Sequence, residues 1–289
     1  MSALRQKLIQ ELVLRNYSPR TQEAYVSAVC QLAKFYRRPP DQLSDPELKA
    51  YLFHLAEAKK LSASSRNQAT SALRFFYAHV LHRPVDFLAR VLPRPRQEIR
   101  RPQVFSVAEL ERLFTVGCLH PKHRAFLMTI YGAGLRLNEA CHLKSEHIDS
   151  ARQQIRVVQG KGRKDRYTLL SPRLLEELRR YWKCFRPAHW LFPASRDPQA
   201  PMIDTTGQRI FYKAVARAGL PDKGGIHSLR HSFATHLLEA GVEITVVQRL
   251  LGHSSLATTS TYLHVRQERL AQIAGPLQLL DLSGLPDRS

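Results

Sequence analysis

Residues 92–104, LPRPRQEIRRPQV, constrain the chain more than any other segment. They hold three prolines and four arginines against one glutamate. Proline lacks the amide donor that a helix interior or a central strand needs, and it fixes φ. No regular element can run through such a segment, so it reads as an extended, stiff linker. The chain is therefore expected to fold as two bodies. One spans 1–91 and the other 105–275, with a tail over 276–289.

The two halves carry different patterns. Ser18 followed by Pro19 is a helix start, a hydroxyl cap and then a proline whose missing N–H costs nothing there. Tyr25, Val29, Leu32 and Tyr36 then recur at helical spacing. Ser44-Asp45-Pro46-Glu47 fits a capping box that opens a helix with Leu48, Tyr51, Leu52 and Leu55. Ala69, Ala72, Leu73, Phe76, Tyr77 and Val80 stripe a third. A small helical bundle follows, with Lys34, Arg37, Arg38, Lys59, Lys60 and Arg66 left for its surface. Beyond the linker, Ser106-Val107-Ala108-Glu109 is another capping box. QIRVV, GKGRKD and RYTLL read as strand, turn and strand over 154–170. Ser171-Pro172 opens a helix carrying Leu174, Leu175, Leu178 and Trp182. The rest is helical to about residue 280, broken at Gly224-Gly225, Gly241 and Gly252. The fold class is mainly α with a small β-sheet.

Charge narrows the partner. There are 44 lysines and arginines against 24 acids, a formal net charge of +20. Such imbalance repels itself, and an anionic partner would offset that repulsion. The basic residues run through the whole chain rather than along one amphipathic helix. Nucleic acid is therefore expected ahead of a membrane surface or an acidic protein. Cys30, Cys118, Cys141 and Cys184 are widely spaced and form no CxxC pair, which suits reduced thiols. The N-terminus MSALRQKLIQEL has no apolar h-region, and no apolar run is long enough to span a bilayer. A cytoplasmic protein without membrane attachment is expected.

Four places invite chemistry. In Tyr131-Gly132-Ala133-Gly134-Leu135-Arg136-Leu137-Asn138-Glu139, glycines end one helix and Arg136 begins the next. An arginine fork beside free backbone N–H groups makes a phosphate site. Its ordinary role would be a structural ion pair, here to Glu139. In Gly160-Lys161-Gly162-Arg163-Lys164-Asp165-Arg166, a lysine on a glycine-hinged turn could donate a proton to a leaving oxygen. A solvated turn is the ordinary alternative. In His227-Ser228-Leu229-Arg230-His231, the spacing sets His227 and Arg230 on one helix face. His227 and His231 also have the spacing of a metal pair, but Ser228 stands where a zincin helix needs glutamate. No CxxC or carboxylate cluster adds ligands, so no metal is expected. Lastly, Leu250-Leu251-Gly252-His253-Ser254 precedes Tyr262 by nine residues counted from the histidine. Taken singly, His253 is a helix cap and Tyr262 is packing. Taken together, the four places supply two arginines, a lysine, two histidines and a tyrosine. Those are the groups that metal-free phosphoryl transfer needs.

On GAGLRLNEA, GKGRKDR, HSLRHSFATHLLEAG, LLGHSS and TYLHV, the chain resembles the tyrosine recombinases, a family that includes the Xer-type, phage and integron integrases. The resemblance covers nearly the whole chain and is looser in the N-terminal half. It implies a helical SAM-like core-binding domain over 1–91 and an α+β catalytic domain over 105–275. It implies that Arg136 and Arg230 hold the non-bridging oxygens of the scissile phosphate. Lys161 would be the general acid, with Lys164 as the alternative. His227 would take the proton of Tyr262, His253 would hydrogen-bond the phosphate, and Glu139 would support the arginine and histidine of the site. Tyr262 would attack to form a 3′-phosphotyrosyl bond, with no cofactor and no ATP. The partner would be double-stranded DNA with an inverted-repeat core site, bound by a tetramer whose C-terminal tail docks on a neighbour. Arg94, Arg96, Arg100, Arg101, Arg163, Lys164 and Arg166 are candidate DNA contacts. No counterpart of the integron-type insertion stands between residues 170 and 226. The competing readings are a non-catalytic DNA-binding protein, a topoisomerase-like enzyme, and a metal-dependent hydrolase using His227 and His231.

Overall fold

The computed structural model describes residues 3–95, 102–158, 165–253 and 255–260. The chain separates into two compact units, 1–100 and 101–289, and the break falls inside the proline- and arginine-rich segment.

The first unit is helical among the described residues. It comprises α1 (Ala3–Leu14), α2 (Pro19–Tyr36), a 3₁₀ turn (Pro40–Gln42), α3 (Asp45–Glu57), α4 (Ala63–His79) and α5 (Val85–Val91). The caps form as the sequence predicts. Ser18 accepts from the N–H of Thr21, and the Glu47 carboxylate accepts from the N–H of Ser44 at 2.8 Å. Leu8, Leu12, Leu32, Leu48, Leu73 and Phe76 fill the core, and α2 packs along α4. Two tyrosines bind the bundle across its turns. Tyr36 Oη donates to the Glu47 carbonyl at 2.7 Å, and the buried Tyr77 donates to that of Pro40 at 2.6 Å. Lys34, Arg37, Arg38, Lys59 and Lys60 are exposed, whereas Arg66 is half-buried rather than fully on the surface.

The second unit wraps helices around α7 (Pro121–Ala133). Before it, α6 (Val107–Arg112) passes into a π-helical turn (Leu113–Gly117). After it come α8 (Leu137–Cys141), strands β1 (Ile148–Asp149), β2 (Gln154–Val157) and β3 (Arg166–Leu169), then α9 (Pro172–Phe185). The chain continues with α10 (Asp204–Arg217), α11 (His227–Glu239), α12 (Ile244–Leu251) and α13 (Leu256–Ser260). The strands form one antiparallel sheet in the order β1-β2-β3, with Gln154 opposite Leu169 and Val157 opposite Arg166. Strand β1 has only two residues, too few to leave a period-2 signature in sequence. Ile155 and Val157 point into the core, and Thr168 Oγ1 donates to the Ala133 carbonyl at 2.7 Å. That bond fastens the sheet to the end of α7.

Helix α9 departs from its expected stripe. Leu174 and Leu178 are buried, but Trp182 is 41% exposed, with the Arg186 guanidinium stacked 4.3 Å above its ring. Its place in the core is taken by Tyr181, whose hydroxyl donates to the Leu191 carbonyl at 2.8 Å. The tyrosine hydroxyl thereby has the partner that burial requires.

Gly134 ends α7 at φ +61°. A Cβ there would lie 2.4 Å from the Phe233 ring. Gly134→Ala therefore meets both left-handed backbone strain and overpacking. It is expected to lower the unfolding free energy by about 2–4 kcal/mol, measured by urea denaturation.

Candidate active site

Gly134 turns the chain out of α7, and Arg136 caps α8 from extended backbone at φ −74° and ψ 153°. Glu139 occupies the third helical position. Its carboxylate reaches back to the Arg136 N–H at 2.8 Å and to Arg136 Nη1 at 2.7 Å. The same carboxylate accepts a two-pronged fork from Arg166, Nη1 at 2.8 Å and Nη2 at 2.7 Å. Arg230 Nη1 lies 3.9 Å from it. Three guanidiniums thus surround one carboxylate whose side chain is 7% exposed.

The end of α12 supplies the second anchor. A helix C-terminus leaves carbonyls without intrahelical partners, and it carries partial negative charge. Here three consecutive carbonyls each accept from a different arginine. Leu250 accepts from Arg166 Nε at 2.9 Å, Leu251 from Arg230 Nη2 at 2.7 Å, and Gly252 from Arg136 Nη2 at 3.3 Å. Arg230 Nη1 also donates to the Gly134 carbonyl at 2.6 Å. Gly252 sits at φ +62°, and a Cβ there would come within 2.7 Å of Arg166 Cδ. Only glycine lets the arginine approach so closely.

Histidines complete the cluster. His227 is the first residue of α11. Burial holds its proton affinity below the ordinary histidine value, and the charges of Arg230 and Arg136 lower it further. Asp204 and Glu139 oppose this only partly. The ring is therefore neutral at pH 7 and able to accept a proton. His231, one turn on, is pushed down to about 4, first by burial and then by His227 and Arg230. No group of three or more His, Cys, Asp and Glu gathers as a cation site among the described residues. His253 follows Gly252, its N–H closing α12 on the Gln248 carbonyl at 3.2 Å. Its Nδ1 meets Thr259 Oγ1 at 2.9 Å.

The structure thus brings Arg136, Glu139, His227, Arg230 and His253 together around the Gly134 turn and the end of α12. Lys161, Arg163, Lys164 and Tyr262 lie outside the described residues, as do Arg96, Arg100 and Arg101. Arg94 is exposed. Arg166, expected among the DNA contacts, is engaged within the site itself. Its side chain is only 10% exposed, and it braces Glu139 because β3 begins beside that carboxylate. Sequence reasoning also missed Thr259, a small polar residue without a pattern of its own.

Likeness to known proteins extends over both halves of the chain. Residues 103–269 match the phage integrase family, and residues 4–86 match the phage integrase N-terminal SAM-like domain. A Sinorhizobium fredii protein named as an integrase/recombinase is 43% identical over 97% of this chain and 90% of its own length. A tyrosine recombinase of Pseudothermotoga lettingae is 34% identical over 92% of this chain and 94% of its own. The Tn1549 transposon integrase, solved with a circular intermediate DNA, shares the fold, with a TM-score of 0.72 at 20% identity over 94% of this chain and 99% of that one. The chain belongs to the phage integrase family and is a tyrosine recombinase, of the enzyme class that cleaves and rejoins DNA.

Glu139 provides a direct test of the cluster. Burial by itself would raise its pKa. The Arg166 fork, then the Arg136 N–H and guanidinium, bring it instead from 4.5 down to about 2. The folded value lies below the unfolded one, so the associated stability is present above pH 4.5 and drains away as pH falls toward 2. Glu139→Gln is expected to cost roughly 3 kcal/mol at pH 7 in urea unfolding. That gap should close as the pH is taken down to 2. A gap of constant size would rule out the carboxylate charge as its source.

Proposed function

We propose that this recombinase cuts and rejoins duplex DNA at a specific site through Tyr262. The observation that supports this most is the arginine cluster. Arg136 and Arg230 are each held by backbone carbonyls beside a shared carboxylate, with a neutral His227 within reach of their charge. Guanidiniums fixed in advance need no reorganisation when negative charge builds on a transferring phosphoryl group. Arg136 and Arg230 take the non-bridging oxygens. His227 accepts the proton as Tyr262 attacks phosphorus, and His253 hydrogen-bonds the phosphate. Lys161, or Lys164 beside it, protonates the departing 5′ oxygen. The product is a 3′-phosphotyrosyl ester, and a 5′-hydroxyl from a second strand reverses the step. The ester energy is conserved across both steps, so no ATP is needed, and the arginines and the lysine supply the positive charge that a metal would otherwise bring.

The net charge of +20 suits the phosphate backbone. Arg94, Arg96, Arg100 and Arg101 of the linker, with Arg163 and Lys164 of the hairpin, would contact it. On this reading an inverted-repeat core site binds a tetramer. The C-terminal tail, 276–289, docks on the neighbouring subunit, and the enzyme works in the cytoplasm.

A nicked duplex that loses its 5′-hydroxyl fragment on cleavage would trap the intermediate. With EDTA present, wild type is expected to leave a DNA-linked band on a denaturing gel and Tyr262→Phe none. An adduct that persists in Tyr262→Phe would reassign the nucleophile. The pH profile tests His227. Its proton affinity is lowered below 6.5, so cleavage should hold level as the pH falls from 8 to 6.5 and decline only below that. His227→Gln should be slow throughout, without that acid limb.

A further inference from the structure

His253 and Thr259 belong to successive elements, the end of α12 and helix α13, and their side chains meet at 2.9 Å between Nδ1 and Oγ1. Thr259 is fully buried. A buried hydroxyl is costly unless hydrogen-bonded, so this contact is a built one. The backbone of His253 is also tied at both ends. Its N–H donates to the Gln248 carbonyl at 3.2 Å, and its own carbonyl accepts from Gln248 Nε2 at 3.1 Å. With the backbone fixed, the ring orientation depends on its side-chain torsions, and the threonine contact at Nδ1 bears directly on those.

We propose that Thr259 is a positioning residue for strand cleavage: its hydroxyl donates to His253 Nδ1 and holds the neutral ring as the Nε2–H tautomer. The inference rests on the assignment of His253 to the scissile phosphate. A neutral imidazole has one donor nitrogen and one acceptor nitrogen. Non-bridging phosphate oxygens only accept, so the nitrogen facing them must carry the proton. A hydroxyl donating to Nδ1 enforces that choice, much as outer partners fix the tautomer of metal-bound histidines. The same bond also bears on the nucleophile. Thr259 precedes Tyr262 by three residues, which reach at most about 11 Å. The contact thus tethers the segment bearing the nucleophile to the histidine that holds the phosphate.

Two variants and one spectrum test this in the full-length protein. Thr259→Val keeps the shape and removes the hydroxyl, and Thr259→Ser restores it. Single-turnover cleavage of the nicked duplex should fall about 10- to 100-fold in Thr259→Val at unchanged DNA affinity, and return to within about threefold of wild type in Thr259→Ser. Nitrogen-15 shifts of the histidine rings should show neutral His253 as Nε2–H in wild type, and a mixture of tautomers in Thr259→Val. Full-speed cleavage by Thr259→Val, or an Nδ1–H ring in wild type, would overturn the assignment. If wild type itself leaves no adduct, the strand-cleavage reading falls. The wild-type tautomer then still decides the Thr259 bond by itself, including where the valine variant fails to fold.

Discussion

Three arginines crowd around the end of α12, and they can do so because one buried carboxylate stands among them. Three guanidiniums in a space of low dielectric would repel one another by several kcal/mol without a counter-charge. Glu139 supplies that charge, and the carbonyls of Leu250, Leu251 and Gly252 supply the directions. A buried ion pair is a weak source of net stability, since desolvation consumes most of the attraction. Its value here is geometric. It keeps the guanidiniums of Arg136 and Arg230 in fixed directions, which on the proposed reading leaves little rearrangement for the reaction.

That arrangement draws its rigidity from the packing beneath it. Helix α7 is buried over most of its length, and its last residues meet β3, α9 and α11. Gly134 and Gly252 permit the two close approaches on which the cluster depends, the Phe233 ring against one and the Arg166 stem against the other. Chain segments far apart in sequence are thereby held in close contact. The first unit contributes none of these residues. Its tyrosine-tied bundle is a separate body whose basic groups lie mostly on its surface.

The neutral state of His227 follows from the same crowding. Burial and two nearby guanidiniums disfavour a further positive charge, so the ring stays unprotonated where an exposed histidine would begin to titrate. The arginines of the cluster thus also help to keep His227 neutral.

Much of this was legible in the linear chain. Helix starts at Ser18, Ser44, Ser106 and Ser171 follow from local hydrogen bonding, which needs no tertiary partner. The shared face of His227 and Arg230 follows from helical spacing. The set of chemical groups, and hence the reaction class, is carried by residue types in order along the chain. Other features depended on which segments the fold brings together. Arg166 reads as one more basic residue of a hairpin until β3 is set beside Glu139. Trp182 and Tyr181 are neighbours on one helix, and only the surrounding packing decides which is buried. Thr259 has no signature at all, because its role lies in a contact with a ring in another element. Local sequence determines what each segment can form and which chemistry it can offer. The tertiary structure decides which charges face one another, because desolvation and Coulomb attraction depend on distances that only folding sets.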